Sequence, residues 1–303
     1  MVLKQIRIEA PVPEQMACQG DGTKEKECAV LTCYLKDNTN GKPQAKRKAV
    51  IICPGGGYEF CSTREAEPVA FQFLAMDCQA FVLNYSTFPS RFPTALRQLA
   101  SAVALVRANA EEWHVDANQI IVCGFSAGGH LAASLGVFWN RDFVWNALQL
   151  EKEAVRPNGL ILAYPVISSG PFAHEGSFDN LTGNVREDEE GLDAGEYLRR
   201  FLSLEHQAGP HVPPVFMWHT DTDRTVPVEN ALLFAMALKR AGVSLELHIF
   251  PTGRHGLALA NEETTKDLDD NRGTYLVPSC QIWTSLAREW LSRLYIDFPD
   301  VSY

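Results

Sequence analysis

The chain has 303 residues, 46% hydrophobic and 21% charged, which excludes a disordered segment or a miniprotein and leaves room for a large core. Its 27 Lys and Arg against 37 Asp and Glu give a formal charge of −10, so neither nucleic acid nor an anionic membrane is expected as a partner. The opening MVLKQIRIEAPVPEQ lacks an uninterrupted apolar run, and nothing reaches the roughly 18 apolar residues of a membrane span, which makes the cytoplasm the expected address.

The first fifty residues carry IRIEA and AVLTCYL among polar, turn-rich segments, which predicts antiparallel strands at the edge of a sheet. KAVIIC, residues 48–53, reads as a buried strand ended by Pro54 and three glycines. A helix over 64–76 and the strand QAFVLNY, 79–85, follow. Pro93 and Thr94 then open a helix whose Leu96, Leu99, Val103 and Val106 share one face. QIIVCG, 119–124, precedes a helix over 127–138; GLILAYP, 159–165, and PVFMWH, 214–219, are further strands. A helix over 228–241, the strand LELHIF, 245–250, and a helix over 281–294 complete the pattern.

Short apolar runs alternating with helical patterns predict an α/β fold with a mostly parallel central sheet flanked by helices. No linker, repeat or low-complexity tract divides the sequence, so a single domain over 1–303 is expected. Residues 168–212, with HEGSFDN, the acidic REDEEGLD and EYLRRFLSLEH, interrupt the alternation and read as an insertion over the strand ends. The eight cysteines, at 18, 28, 33, 53, 61, 78, 123 and 280, form no dense framework and read as buried thiols. Cys28 and Cys33 have C-x4-C spacing without a second Cys/His pair at zinc-site spacing, and no metal is expected.

The strongest chemical signal is Gly124-Phe125-Ser126-Ala127-Gly128-Gly129, placed between a strand and a helix. Strand, Gly-x-Ser-x-Gly, helix is the context in which a sharp turn projects a serine hydroxyl over a sheet. Serine alone is a poor nucleophile and needs a base oriented by a third group. After PVFMWH comes an acid-bearing loop holding Asp221 and Asp223; after LELHIF comes Pro251-Thr252-Gly253-Arg254-His255-Gly256. Of eight histidines, His114 and His211 sit in polar connections, His248 lies within a strand, His219 closes one, and His130 sits one turn along the helix after Ser126. His255 occupies a glycine-flanked loop after the last strand and is the favoured base. Asp221 and Asp223 both stay in play as the acid or as helix caps, with Asp223 preferred for its place deeper in the loop. The three glycines of Cys53-Pro54-Gly55-Gly56-Gly57-Tyr58 let backbone N–H groups turn toward an oxyanion, which assigns Gly56 and Gly57, with Ala127, to that role. Phe60, Phe88 and Trp218 are candidates for pocket walls or for core.

Through VIICPGGGYEF, REAEPVAFQFLA, QAFVLNYS, CGFSAGGHLAASLG, HEGSF, VPPVFMWHTDTDRTVPVENALLF and ELHIFPTGRHGLALA, the sequence resembles the α/β-hydrolase superfamily. Within it the chain is similar to bacterial acetylesterases and acetyl xylan esterases, near the hormone-sensitive-lipase-like group. The resemblance covers most of 48–260 and implies Ser126 as nucleophile, Asp223 as acid and His255 as base. It implies a serine esterase of short acyl, above all acetyl, esters, with an acetylated sugar or xylo-oligosaccharide as substrate, no cofactor and possible homo-oligomers. Two departures stand out: Cys53-Pro54 replaces the His-Gly of the hormone-sensitive-lipase-like group, and Thr220 follows His219 where relatives often have Gly. Neither alters a triad position. A peptidase of the prolyl oligopeptidase type would use the same machinery, but usually behind an N-terminal propeller that fifty residues cannot supply. A non-catalytic hydrolase-fold binding protein would typically have a broken triad.

Overall fold

In the computed structural model, which describes residues 1–9, 28–39, 44–183, 194–265 and 274–294, the edge strands expected early in the chain are β1 (Val2–Glu9) and β2 (Cys28–Leu35). They pair antiparallel, with Val2 opposite Leu35 and Glu9 opposite Cys28. The apolar runs that follow are β3 (Arg47–Cys53), β4 (Gln79–Asn84), β5 (Val115–Phe125), β6 (Gly159–Ala163), β7 (Val215–Thr220) and β8 (Leu245–Phe250). Their sheet order is β1-β2-β4-β3-β5-β6-β7-β8, antiparallel in its first two pairs and parallel thereafter. This is the α/β-hydrolase sheet implied by the sequence.

The central strands read as unbroken apolar runs because both faces of the sheet are covered. Successive residues enter opposite cores: Ile51, Val122, Leu162 and Met217 join one, while Ile52, Cys123, Ile161 and Trp218 join the other. The helices are α1 (Glu67–Ala75), α2 (Thr94–Ala108), α3 (Ala127–Phe138), α4 (Asp142–Trp145), α5 (Glu175–Thr182), α6 (Ala194–Phe201), α7 (Glu229–Arg240), α8 (Pro278–Gln281) and α9 (Trp283–Arg293). Side chains of α2, α3 and α7 pack into the first core and those of α1 and α9 into the second. The stripe Leu96, Leu99, Val103 and Val106 of α2 is fully buried, as its three-and-four spacing predicts.

Boundaries differ where tertiary pairing overrides local pattern. β5 begins at Val115 rather than 119 because Val115 pairs with Arg47 before the register shifts and Ile120 pairs with Ala49. β6 stops at Ala163, since Tyr164 adopts a left-handed φ of 37° and Pro165 has no N–H to extend a ladder. The helix expected over 281–294 is split into α8 and α9.

The expected insertion contributes α5, α6 and a 3₁₀ turn at Leu204–His206, while its acidic run at 186–193 lies outside the described residues. The guanidinium of Arg91 donates to the carbonyls of Asp179 and Asn180 at 2.6 and 2.8 Å, and Asn180 Nδ2 donates to the Gly57 carbonyl at 2.9 Å. The insertion is therefore bonded to the glycine loop after β3. Among the described residues no helix is long and apolar enough to cross a membrane and no Cys/His/acid cluster suits a metal ion. The described thiols are free; Cys33, Cys53, Cys78, Cys123 and Cys280 are buried, and Cys18 lies outside the described residues.

Candidate active site

Ser126 stands between the last residue of β5 and the first of α3, at φ 53° and ψ −119°. Such a conformation is strained for a residue with a Cβ and persists only where its surroundings hold it. Here the Ser126 amide donates to Ala163 O at 3.0 Å, and its carbonyl accepts from the amides of Val166 and His130 at 3.0 and 3.1 Å. The flanking glycines answer a different demand, close approach. A Cβ on Gly124 would lie 2.1 Å from Gly128 O, and one on Gly128 would lie 2.1 Å from Cys53 O.

Ser126 Oγ lies 2.7 Å from His255 Nε2, and His255 Nδ1 lies 2.7 Å from Asp223 Oδ2. The other carboxylate oxygen, Oδ1, accepts from the amides of Thr225 and Val226 at 2.9 and 3.0 Å. Burial alone would raise the Asp223 pKa, but the bond from His255, the His255 charge and the Val226 amide act against it and hold the carboxyl well below its ordinary range. An ionised Asp223 requires the proton on Nδ1 of His255, which leaves Nε2 free to accept from the serine hydroxyl. Asp221, the rival acid, is exposed. His219 is fully buried, with Nε2 3.5 Å from Asp223 Oδ2 but nearer the Val226 carbonyl, at 2.9 Å, which we take as its acceptor.

The base sits on a loop stitched to the acid loop. Thr220 Oγ1 and Thr222 Oγ1 donate to the Gly253 carbonyl at 3.0 and 2.9 Å, so Thr220, a departure from the family pattern, bears on the loop of His255. His130 behaves as the core residue that its position suggests. Its Nδ1 accepts from the Tyr58 hydroxyl at 2.9 Å and its Nε2 donates to Leu202 O at 2.9 Å. Burial, opposed in part by that carbonyl, lowers its pKa to about 4.

In the glycine loop, Gly56 takes φ 127°, a region few side chains tolerate. The Gly55 amide is engaged by Glu65 Oε2 at 2.8 Å, whereas the amides of Gly56, Gly57 and Ala127 have no acceptor among the described residues. The Ala127 amide also opens α3, where the helix dipole favours negative charge. Of the three aromatics, Trp218 is core, stacked on Trp283 with ring centroids 5.5 Å apart, while Phe60 and Phe88 are 57% and 50% exposed.

Sequence reasoning missed a buried brace. Glu65 Oε1 accepts from the Tyr164 hydroxyl at 2.7 Å, and that hydroxyl accepts from the Ala258 amide at 2.8 Å. Arg64 adds a bond from Nη2 to Gly256 O at 3.0 Å. Two adjacent residues thereby join the glycine loop to the loop carrying His255. The REAEP segment was the only trace of them in the sequence.

A protein-family model described as BD-FAE matches residues 33–238. Over 77% of its length the chain is 37% identical to endo-1,4-beta-xylanase B of Butyrivibrio fibrisolvens, and over 75% it is 29% identical to the acetylxylan esterase of Xylanibacter ruminicola. It spans only 35% and 43% of those two relatives. Among solved structures it is similar to an acetyl ester-xyloside bifunctional hydrolase from Caldicellulosiruptor lactoaceticus, with 35% identity, a TM-score of 0.73 and 95% of each chain covered. It is also similar to a carboxylesterase from Lactobacillus plantarum WCFS1, with 28% identity, a TM-score of 0.77 and coverage of 97% and 98%.

Proposed function

We propose that this chain, which belongs to the BD-FAE family, is a cofactor-independent serine carboxylesterase acting on short acyl, above all acetyl, esters of sugars or xylo-oligosaccharides. One observation carries the reading: two 2.7 Å contacts that link the Ser126 hydroxyl through His255 to a buried Asp223. In this mechanism His255 Nε2 takes the Ser126 proton as Oγ attacks the ester carbonyl, and Asp223 orients the ring and stabilises the imidazolium. The amides of Gly56, Gly57 and Ala127 receive the oxyanion, a role worth about 3 to 4 kcal/mol per donor in enzymes where one has been removed. His255 then protonates the departing alcohol, leaving the acyl group on Oγ. Water attacks that acyl-enzyme, gives its proton to Nε2, and the acid leaves as Oγ is reprotonated.

The names of relatives support a short acyl group. Relatives are named for acetyl ester and acetylxylan hydrolysis. The chain is read as one domain with 168–212 as its cap.

The test combines labelling with turnover. An activated fluorophosphonate is expected to label the wild type and not Ser126→Ala. A panel of acetylated xylo-oligosaccharides, other sugar acetates and p-nitrophenyl esters of rising chain length is expected to favour acetyl. Rates that climb toward long chains, or preferred cleavage of proline-containing peptides, would overturn the substrate class; a folded but unlabelled wild type would overturn the enzyme reading itself.

A further inference from the structure

His174 lies in the insertion, outside the triad and outside the amides assigned to the oxyanion. It is the N-cap of α5, and its Nδ1 accepts from the Ser177 amide at 3.2 Å, with the Ser177 hydroxyl at 2.8 Å. A backbone amide can only donate, so Nδ1 must be unprotonated and the ring proton must sit on Nε2. The cap thus fixes the tautomer and turns Nε2–H away from the helix as a rigid donor. Among the described residues that donor has no acceptor.

The ring is held beside the reacting centre. A methyl group on Gly57 would lie 3.9 Å from His174 Cε1, the carbon next to Nε2. Asn180 of the same helix donates to Gly57 O at 2.9 Å, and Asn230 Nδ2 donates to Phe172 O at 2.8 Å, so both ends of the segment are tied down. Burial and then the neighbouring His255 charge lower the His174 pKa, against the opposing pull of Asp223 and Glu175, which favours the neutral ring whose Nδ1 the cap uses as acceptor. Phe60, 57% exposed, lies against the glycine loop, its Cδ2 3.1 Å from where a Cβ on Gly56 would stand, whereas the Phe88 ring is covered by the Arg91 guanidinium, 5.0 Å from its centroid. A fixed donor at Gly57 and an exposed ring at Gly56, neighbours on one loop, suit an alcohol that carries both hydroxyl oxygens and C–H faces, as a pyranoside does.

We infer that His174 is a specificity-determining residue whose Nε2–H donates to a hydroxyl oxygen on the sugar half of the ester. The inference rests on the esterase reading above and adds to it the residue that recognises the alcohol. His174→Asn separates the donor from the cap: Asn is a good N-cap and keeps an acceptor for the Ser177 amide, but its short side chain does not reach where Nε2–H stood. His174→Ala removes both.

The measurement is the ratio of kcat/KM for an O-acetylated methyl xyloside to that for p-nitrophenyl acetate, whose alcohol carries no hydroxyl, with thermal unfolding run on each variant. Both variants are expected to lower the ratio about tenfold, the worth of one good hydrogen bond, mainly through KM for the sugar ester, and only His174→Ala is expected to lower Tm. A ratio unchanged in His174→Asn, or one lowered only in His174→Ala, would overturn the inference, because the ring would then matter only as a cap. Equal losses on both esters would also overturn it, since the residue would be acting on the reacting group. These failures are read on a wild type that fluorophosphonate labels; a wild type that is neither labelled nor active fails the esterase reading instead.

Discussion

Tyr164→Phe isolates the brace between the two loops. The phenol is buried, and its hydroxyl donates to Glu65 Oε1 at 2.7 Å while accepting from the Ala258 amide at 2.8 Å. Burial first, then the Glu65 charge, push its pKa well above the ordinary tyrosine value, so the hydroxyl keeps the proton that it donates. Phe preserves the ring, including its edge-on contact with His255 at 5.1 Å between centroids, and opens almost no cavity. What is lost is polar. Glu65 keeps the Gly55 amide but gives up its second donor, and the Ala258 amide is left buried without an acceptor. At about 1 to 3 kcal/mol for each group left unsatisfied, the destabilisation is about 3 kcal/mol. For a chain of 303 residues, whose unfolding entropy is about 0.6 kcal/mol/K, that lowers Tm by about 5 °C.

Activity should fall as well, because the hydroxyl fixes the spacing between the glycine loop and His255. A displacement approaching 1 Å at a reacting group costs up to about 100-fold, so kcat is expected to drop between about 10- and 100-fold with KM changed little. Tyr85→Phe is the matched control. It removes a buried hydroxyl bond of 2.7 Å to Pro54 O but leaves the His255 loop untouched, so it should cost stability with a smaller loss of kcat. Steady-state kinetics on p-nitrophenyl acetate and calorimetry decide the matter. A Tyr164→Phe enzyme with wild-type kcat and Tm would refute the brace, and equal kcat losses in the two variants would refute its link to His255.

Other outcomes follow from the same contacts. The folded-state pKa of His130, about 4 against an ordinary 6.5, means that the unfolded chain binds a proton which the folded chain refuses between those values. Stability should therefore fall as pH drops from 6.5 to 4, by about 3 kcal/mol for this group, and urea titrations of His130→Gln should show a shallower slope over that window. Asp223→Asn is expected to lower kcat by about four orders of magnitude through the wrong imidazole tautomer, whereas Asp221→Asn should match wild type in the same assay; the reverse pattern would reassign the acid. Gly128→Ala puts a Cβ 2.1 and 2.3 Å from the carbonyls of Cys53 and Pro54 and should yield no soluble folded protein. Gly242→Ala meets nothing within 4 Å but has φ +72° and should cost only about 1 kcal/mol in a urea melt.

The contrast between what the sequence disclosed and what it hid has a physical cause. A strand end announces itself locally: Pro54 and its glycines stop β3, Ser126 sits where an apolar run meets a helical period, and His255 lies between residues unfit for a strand. Each can be found within a window of about ten residues, since strand and helix periods are short. The acid needed more. Both Asp221 and Asp223 satisfy the local pattern, and they differ in that only Asp223 turns its Oδ1 back onto the amides of Thr225 and Val226, which buries the carboxylate and aims Oδ2 at His255.

The brace and the His174 donor leave no local period at all. Arg64 reaches a carbonyl 192 residues away, and Tyr164 meets Glu65 and Ala258 from 99 and 94 residues away. Glu65 occupies a single 3₁₀ turn, Thr63–Glu65, too short to show an amphipathic face. His174 lies in the stretch that broke the βα rhythm, so its only sequence mark was being in HEGSF. Side chains that define a reaction type thus sit at the termini of regular elements, where backbone geometry requires recognisable residues. Those that fix its precision and its substrate are joined by polar contacts across the fold, and for them the pairing exists only once the sheet has brought the strand ends together.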